Sequence, residues 1–201
     1  MIKSYSFNQQ EILNNILKLY NKGSPFHLDP CYNKGGFYKN GVVKVPVLKG
    51  DIKPLSPGVL KLDVCNLTFN TGSIKSAIFD PPFIVSCGSY KMAQRYGFFK
   101  TVSNLKNFYS SALFSLQRVL KHGGLLVFKY QDFINGRQPY NVTQFILNKA
   151  QELNFAYRDL FVCLNDNVII SQQSQNHARK CHTYFLVLKC NKRQDKKSIY
   201  L

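Results

Sequence analysis

The sequence predicts an α/β protein with a mostly parallel sheet and an antiparallel last strand. Three observations carry that prediction. Short apolar runs of strand length recur along the chain and several end in an aspartate: Phe26-His27-Leu28-Asp29, Val59-Leu60-Lys61-Leu62-Asp63, Ala77-Ile78-Phe79-Asp80 and the run from Leu125 to Asp132. In the second half these runs alternate with segments of helical period, the order that builds parallel sheets. The chain then closes on two successive strand-like runs, 155–164 and 183–190, joined by a polar loop, so the last strand turns back antiparallel.

Taken in order, Asn8-Gln9-Gln10-Glu11 has the form of a capping box with Asn in place of Ser or Thr. Ile12, Leu13, Ile16, Leu17 and Tyr20 follow with helical period, and Gly23 is the expected stop. A strand is expected at 25–29 and a loop over 30–41. Further strands are expected near 44–49, 59–63 and 76–80. Residues 84–103 read as an irregular stretch containing Tyr90, Lys91, Arg95 and Lys100. The spacing of Leu105, Phe108, Ala112, Leu113, Leu116, Val119 and Leu120 predicts an amphipathic helix that ends at Gly123-Gly124. A strand at 125–130 and a helix from about 140 to 153 complete the pattern before the final pair. One domain over 1–191 and a basic, mobile tail over 192–201 are expected, without repeats or a linker.

Composition narrows the function classes. The chain of 201 residues carries 27 Lys and Arg against ten Asp and Glu, a net charge of +17. That excess is the electrostatic footprint of a polyanion binder. Codon bias is the competing reading, since Lys outnumbers Arg 21 to 6 and Asn is abundant, but bias alone does not make acids scarce. No apolar run approaches the ~18 residues of a membrane span, and the first residues hold no signal-peptide core, which points to the cytoplasm and away from membranes. The six cysteines form no Cys-x-x-Cys pair and no zinc spacing, so no metal is expected.

Of the ten acids, Asp29, Asp51, Asp63, Asp80 and Asp132 sit at or near the ends of apolar runs. Ligands of open α/β sheets bind at strand carboxyl ends, so these scarce carboxylates outline one polar site. Its most distinctive part is the octet Ser76-Ala77-Ile78-Phe79-Asp80-Pro81-Pro82-Phe83. The two prolines stiffen the chain where the strand stops. Asp80 and the carbonyls around Pro81 offer acceptors, and Phe83 offers a flat face. A planar base with an exocyclic amino group needs such a pocket. A Pro-Pro turn after a strand is the plainer alternative.

The octet resembles motif IV, Asp-Pro-Pro-Phe/Tyr, of the class I S-adenosylmethionine-dependent amino-methyltransferases of nucleic acids, whose Rossmann-like plan matches the element order from about residue 6 to 190. Asp29-Pro30-Cys31-Tyr32-Asn33-Lys34-Gly35-Gly36 resembles motif I, with Asn33 where the first glycine is expected and Gly35 at the second. Asn tolerates φ > 0 better than other non-glycine residues, so the turn is retained. The helix after it is expected to be shortened, because Asp51 follows Gly35 by only sixteen residues. Asp51 resembles the motif II acid that bonds the ribose hydroxyls. Asp63 resembles the motif III acid that accepts from the adenine amino group, with Val64 and Cys65 supplying backbone groups to the ring edge. For Asp51 an exposed turn residue is nearly as good a reading.

The resemblance implies S-adenosyl-L-methionine as cofactor and methyl transfer to an exocyclic amino group, adenine in DNA before RNA, on a base flipped against Phe83. Asp80 and Pro81 would accept its N–H hydrogens, with Pro82 stiffening the turn. Tyr90, Lys91, Arg95 and Lys100 would contact the nucleic acid. The size resembles solitary phage-type enzymes, which implies host cytoplasm. Sequence specificity would be weak, carried by loops, or supplied by a protein partner. An RNA base methyltransferase, or an inactive methyltransferase fold used as a nucleic-acid-binding module, are the alternatives. Pro30-Cys31 also echoes the nucleophile of cytosine carbon-five methyltransferases, but it lies where the cofactor loop belongs.

Overall fold

A computed structural model describes residues 1–85, 97–165 and 176–192. In chain order its elements are β1 (Tyr5–Ser6), α1 (Gln9–Tyr20), β2 (Leu28–Asp29), β3 (Leu48–Asp51), β4 (Leu60–Lys61), β5 (Ile74–Phe79), α2 (Val102–Val119), β6 (Leu120–Tyr130), β7 (Phe133–Asn135), β8 (Gln138–Tyr140), α3 (Val142–Glu152), β9 (Phe155–Leu164) and β10 (His182–Cys190). Eight strands form one sheet in the order β1-β9-β10-β6-β5-β2-β3-β4, and β7 pairs with β8 in a separate hairpin. Within the large sheet β10 is antiparallel to both β6 and β9, while the other pairs are parallel. The chain runs outward from β2 to β4, then returns to the other side of β2 as β5. Strand order therefore reverses between β2 and β5, the place where α/β sheets open a crevice.

Helix starts follow the sequence closely. Asn8 caps α1 by accepting from the Gln10 and Glu11 N–H groups at 2.8 and 3.4 Å. The reciprocal half of the capping box differs. Glu11 accepts from the Ser6 hydroxyl at 2.6 Å, and that hydroxyl in turn accepts from the Asn8 N–H at 3.0 Å. Thr101 and Asn141 cap α2 and α3 through the N–H groups of Asn104 and Gln144. Gly23, at φ +70°, closes the end of α1 by donating to Leu17 O at 2.9 Å.

Strands depart from the expected bounds for identifiable reasons. The strand expected over 44–49 forms at Leu48–Asp51, because Pro46 lacks an N–H and pairing begins only when Val47 donates to Phe26 O at 3.1 Å. The strand expected over 59–63 shrinks to Leu60–Lys61, because Asp63 turns to cap a short 3-10 turn, Val64–Asn66. β6 begins five residues before the expected 125, pairing Leu120 with Ile74 and slipping register before Ser76. β1 and the β7–β8 hairpin were not expected from the pattern. β9 carries one extra residue, Arg158, opposite the Val187–Leu188 step of β10.

Two apolar layers sandwich the sheet. Alternation along β5 and β6 sorts their residues between them. Ile78, Leu125 and Val127 face α1 with Phe26, Phe37, Tyr38, Phe161 and Phe185. Ala77, Phe79, Leu126, Phe128 and Tyr130 face α2 and α3. The second layer centres on a ring cluster in which Phe128 lies 4.7 Å from Phe79, 5.0 Å from Tyr109 and 5.7 Å from Tyr130. Of the tail expected over 192–201, Lys192 is described and donates to Arg118 O at 2.7 Å; the rest lies outside the described residues. Among the described residues no helix is long and apolar enough to cross a membrane.

Removing the central ring tests this layer. Phe128→Ala should destabilise the fold by about 3–5 kcal/mol, the cost of a large buried ring plus the cavity it leaves, read as a drop in the urea midpoint with an unchanged slope.

Candidate active site at the strand carboxyl ends

β2, β3 and β5 deliver Asp29, Asp51 and Asp80 to the same end of the sheet, flanking the reversal of strand order. Their charges act on one another: Asp80 and Asp51 both bear on Asp29, and all three bear on Cys31. Asp63 follows β4 and is exposed. Asp132, at the end of β6, does not join them. Its carboxylate accepts from the Thr143 N–H at 2.9 Å and from the Thr143 hydroxyl, which ties β6 to the start of α3. Asp132 is therefore a structural acid, not part of the polar site outlined from the sequence.

The loop after β2 is held by its own polar groups. Asn33 adopts φ +48°, as its tolerance of that region predicts, and its N–H donates to Asp51 at 2.9 Å. The second Asp51 oxygen accepts from the Lys53 N–H at 2.8 Å. Gly35 has φ +66°, a region that favours glycine, and a Cβ there would lie 2.6 Å from the Tyr32 hydroxyl, so a larger residue would have to displace that ring. In place of the shortened helix stands a single 3-10 turn, Gly36–Tyr38. It brings the Tyr38 hydroxyl 2.7 Å from Asp29, while the Cys31 N–H donates to the other Asp29 oxygen at 3.0 Å. Tyr32 stacks on Tyr38 with ring centroids 5.5 Å apart. Pro30 is buried beneath this loop.

Asp29 is 2 % exposed. Burial pushes its carboxyl up to about 7, against the opposing pull of its two hydrogen bonds, and the Asp80 and Asp51 charges add to the rise. Burial and the same three carboxylates hold the Cys31 thiol far from ionisation, which is the opposite of what a nucleophilic thiolate needs. On the far side Asp63 accepts from the Cys65 N–H at 2.9 Å, so that amide is turned inward onto its own loop. Val64 is buried in the α2 layer, and desolvation raises the Cys65 thiol to about 11.

The octet leaves β5 into a braced turn. Pro81 is buried and Phe83 half-buried. The Tyr109 hydroxyl of α2 donates to Pro82 O at 3.2 Å. Phe99 donates to Ile84 O at 2.8 Å, pinning the outgoing chain beside the start of α2. Among the described residues none donates to the Pro81 carbonyl. Lys100 lies exposed at the α2 cap, whereas Tyr90, Lys91 and Arg95 lie outside the described residues.

Sequence reasoning did not single out Lys129. Its ammonium sits 3.1 Å from Asp80 Oδ2, 3.3 Å from Gln9 Oε1, and over the rings of Phe37 and Phe185 at 5.0 and 5.8 Å. A lone lysine inside an apolar strand was the available signal, because a buried ammonium needs a partner. Tyr38 and Tyr109, which hold Asp29 and the Pro-Pro turn, were likewise not singled out. Two cavities, of about 110 Å³ beside Lys106 and Phe145 and about 200 Å³ beside Leu147 and Tyr157, are lined by neither the octet nor these acids. No group of His, Cys, Asp and Glu among the described residues has the geometry of a metal site.

No protein-family model matches the chain, and no curated protein matches its sequence. Solved structures do match its fold. A Burkholderia thailandensis 1,6-didemethyltoxoflavin-N1-methyltransferase, solved with 1,6-didemethyltoxoflavin and S-adenosylhomocysteine, aligns over 93 % of this chain and 80 % of its own at 11 % identity, with a TM-score of 0.57. TrmN from Thermus thermophilus aligns over 92 % of this chain and 50 % of its own at 15 % identity, TM-score 0.53. A Thermus thermophilus protein described as a DNA modification methylase, in complex with S-adenosyl-L-methionine, covers 62 % of this chain at 15 % identity with a TM-score of 0.45, and this chain spans only 51 % of its length. The fold is thus the Rossmann-like class I methyltransferase fold, α/β with an antiparallel strand within a mostly parallel sheet.

The raised Asp29 carboxyl has a measurable sign. Unfolded, it ionises near pH ~4. Between there and pH 7 the folded chain holds a proton that the unfolded chain has released, so this group makes stability fall as pH rises. The wild-type thermal midpoint should drop from about pH 5 to about pH 8, and Asp29→Asn should remove much of that drop.

Proposed function

We propose that this chain is an S-adenosylmethionine-dependent methyltransferase acting on an exocyclic amino group of a nucleic-acid base, adenine in DNA before RNA. The observation that carries this reading is Asp80-Pro81-Pro82-Phe83 at the carboxyl end of β5, beside the reversal of strand order, with its carboxylate paired to a half-buried ammonium.

The residues present fit the cofactor. An ionised carboxylate has about four acceptor positions; Asp51 uses one on the loop after β2 and one on its own loop, and Asp63 uses one. Those left suit the ribose hydroxyls and the adenine amino group respectively. Bound there, S-adenosylmethionine supplies a methyl carbon made electrophilic by its sulfonium. Likeness of fold to a methyltransferase that holds S-adenosylhomocysteine is in keeping with this choice.

The remaining work falls to the chain's own side chains. Asp80 and the Pro81 carbonyl accept the two amino hydrogens, which points the nitrogen lone pair toward the methyl carbon. Phe83 stacks on the flipped base. The braced Pro-Pro turn keeps these acceptors in place, so catalysis is positioning and electrostatics. The basic surface meets the phosphates. Lys100, with Lys91, Arg95 and Tyr90, is assigned to that contact, and a protein partner or loops supply sequence preference.

One observation favours a second reading, an inactive fold that only binds nucleic acid. Asp29 is already engaged by Tyr38 and Cys31. Calorimetry with S-adenosylmethionine, followed by transfer of a tritiated methyl group to DNA, RNA and protein pools, separates the readings. Label in DNA supports the first, label in RNA moves the substrate, and no cofactor heat supports the inactive module.

Two substitutions sharpen the assignment. Asp80→Ala should abolish transfer while cofactor affinity stays near wild type; retained activity would sink the assigned chemistry. Asp63→Ala should weaken cofactor affinity by one to two decades, the loss of a charge-assisted hydrogen bond of about 1.5–3 kcal/mol. An unchanged calorimetric dissociation constant would show that the acid after β4 does not hold the adenine.

A further inference from the structure

We propose that Lys129 is a positioning residue that holds Asp80 Oδ2 and so turns the carboxylate to present its other oxygen to the substrate's amino group. The inference rests on the methyl-transfer reading above and adds a residue to it.

The register of the sheet creates the pair. Phe79 of β5 pairs with Phe128 of β6, so the next residues, Asp80 and Lys129, are lateral neighbours. Both fall on the parity of Ile78 and Val127, the α1 face. The lysine side chain is only 14 % exposed. It is held independently of Asp80 by the Gln9 carbonyl oxygen and by the faces of Phe37 and Phe185. Contacts of that kind hold an ammonium without neutralising it. The cation is therefore fixed in place, and its ion-pair partner among the described residues is Asp80.

A purely structural role explains this poorly. With side chains 14 % and 24 % exposed, the pair is partly screened by solvent and contributes little to stability, and a methionine would pack well between two phenylalanine rings. What methionine lacks is the charge. Asp80 acts electrostatically on Asp29, Cys31, Tyr38 and Tyr109, none of which brings it a positive charge. Lys129 from β6 does. Only the ionised carboxylate is purely an acceptor, and accepting N–H hydrogens is the task given to Asp80. By engaging Oδ2, the lysine also selects which oxygen faces outward.

The experiment uses Lys129→Met, Lys129→Arg, Asp80→Asn and the Lys129→Met/Asp80→Asn double variant. Lys129→Met should lower kcat for nucleic-acid methylation by about ten- to a hundredfold, the scale of a misplaced catalytic group, with cofactor affinity and thermal midpoint near wild type. Lys129→Arg should recover most of kcat. The double variant should be no worse than Asp80→Asn alone, because the lysine acts through that carboxylate. A readout without turnover accompanies these. With carboxyl-13C aspartate, the Asp80 resonance at fixed pH should move in Lys129→Met and stay near its wild-type position in Lys129→Arg, since the cation on Oδ2 is lost in the first and kept in the second. An unchanged kcat in Lys129→Met overturns the proposal, as does an equal loss in both Asp80 backgrounds or an unmoved Asp80 resonance. If wild-type protein transfers no methyl group to any pool, the methyl-transfer reading fails, and the Asp80 resonance alone judges whether Lys129 holds that carboxylate.

Discussion

Burial of β5 and β6 on both faces is the constraint from which the rest follows. Residues 76–79 of β5 and 124–128 of β6 are all buried, so neither strand can carry a charge through its length. Charge is confined to the two ends of this stretch: Lys75 and Lys121 lie exposed before it, and where the strands emerge at their carboxyl ends Asp80 and Lys129 appear side by side. The same two-sided burial requires apolar cover from α1 on one face and from α2 and α3 on the other. The helices that shield the sheet are thus also those whose Gln9 and Tyr109 brace the candidate site.

Neighbouring carboxylates solve the problem of burial in different ways. Asp29 is enclosed by Tyr38 and the Cys31 amide, with no cation beside it among the described residues, and its carboxyl rises toward neutrality. Asp80, half-exposed one strand away, takes an ammonium partner. Asp51 spends its oxygens on backbone N–H groups and so holds the loop after β2 in shape. One cluster therefore contains a proton-holding acid, a paired anion and a loop anchor. Its members differ because local dielectric and partners differ, not because the residue type does.

Much of this was legible in the sequence. The apolar runs ending in aspartate mark strand ends, and Asn33 and Gly35 take the positive φ that their residue types favour. The alternation of elements gives the sheet its parallel body and its antiparallel last strand. Other features were less visible because they depend on distant partners. Lys129 meets Asp80 only through the β5–β6 register, and Tyr38 reaches Asp29 only because the turn after Gly35 is a single 3-10 turn. Asp132 looked like its fellow acids in sequence, yet the approach of α3 gives it a structural task. The Pro46 shift of β3 shows a local rule, the missing N–H, overriding an apolar run.

The margins of the sheet have a consequence for how the protein behaves in a crowded solution. An open sheet edge is a row of unpaired amides on which another chain can continue the ladder. Among the described residues one margin ends in β4 and the other in β1, each two residues long, too short to template a growing strand. Next to β1, which pairs with β9 only at Val162 and Cys163, the extra residue Arg158 breaks the regular spacing of β9 against β10 and sets a charge beside Asp159. Short margins, an interrupted ladder and charges at the interruption all work against lateral growth into fibrils.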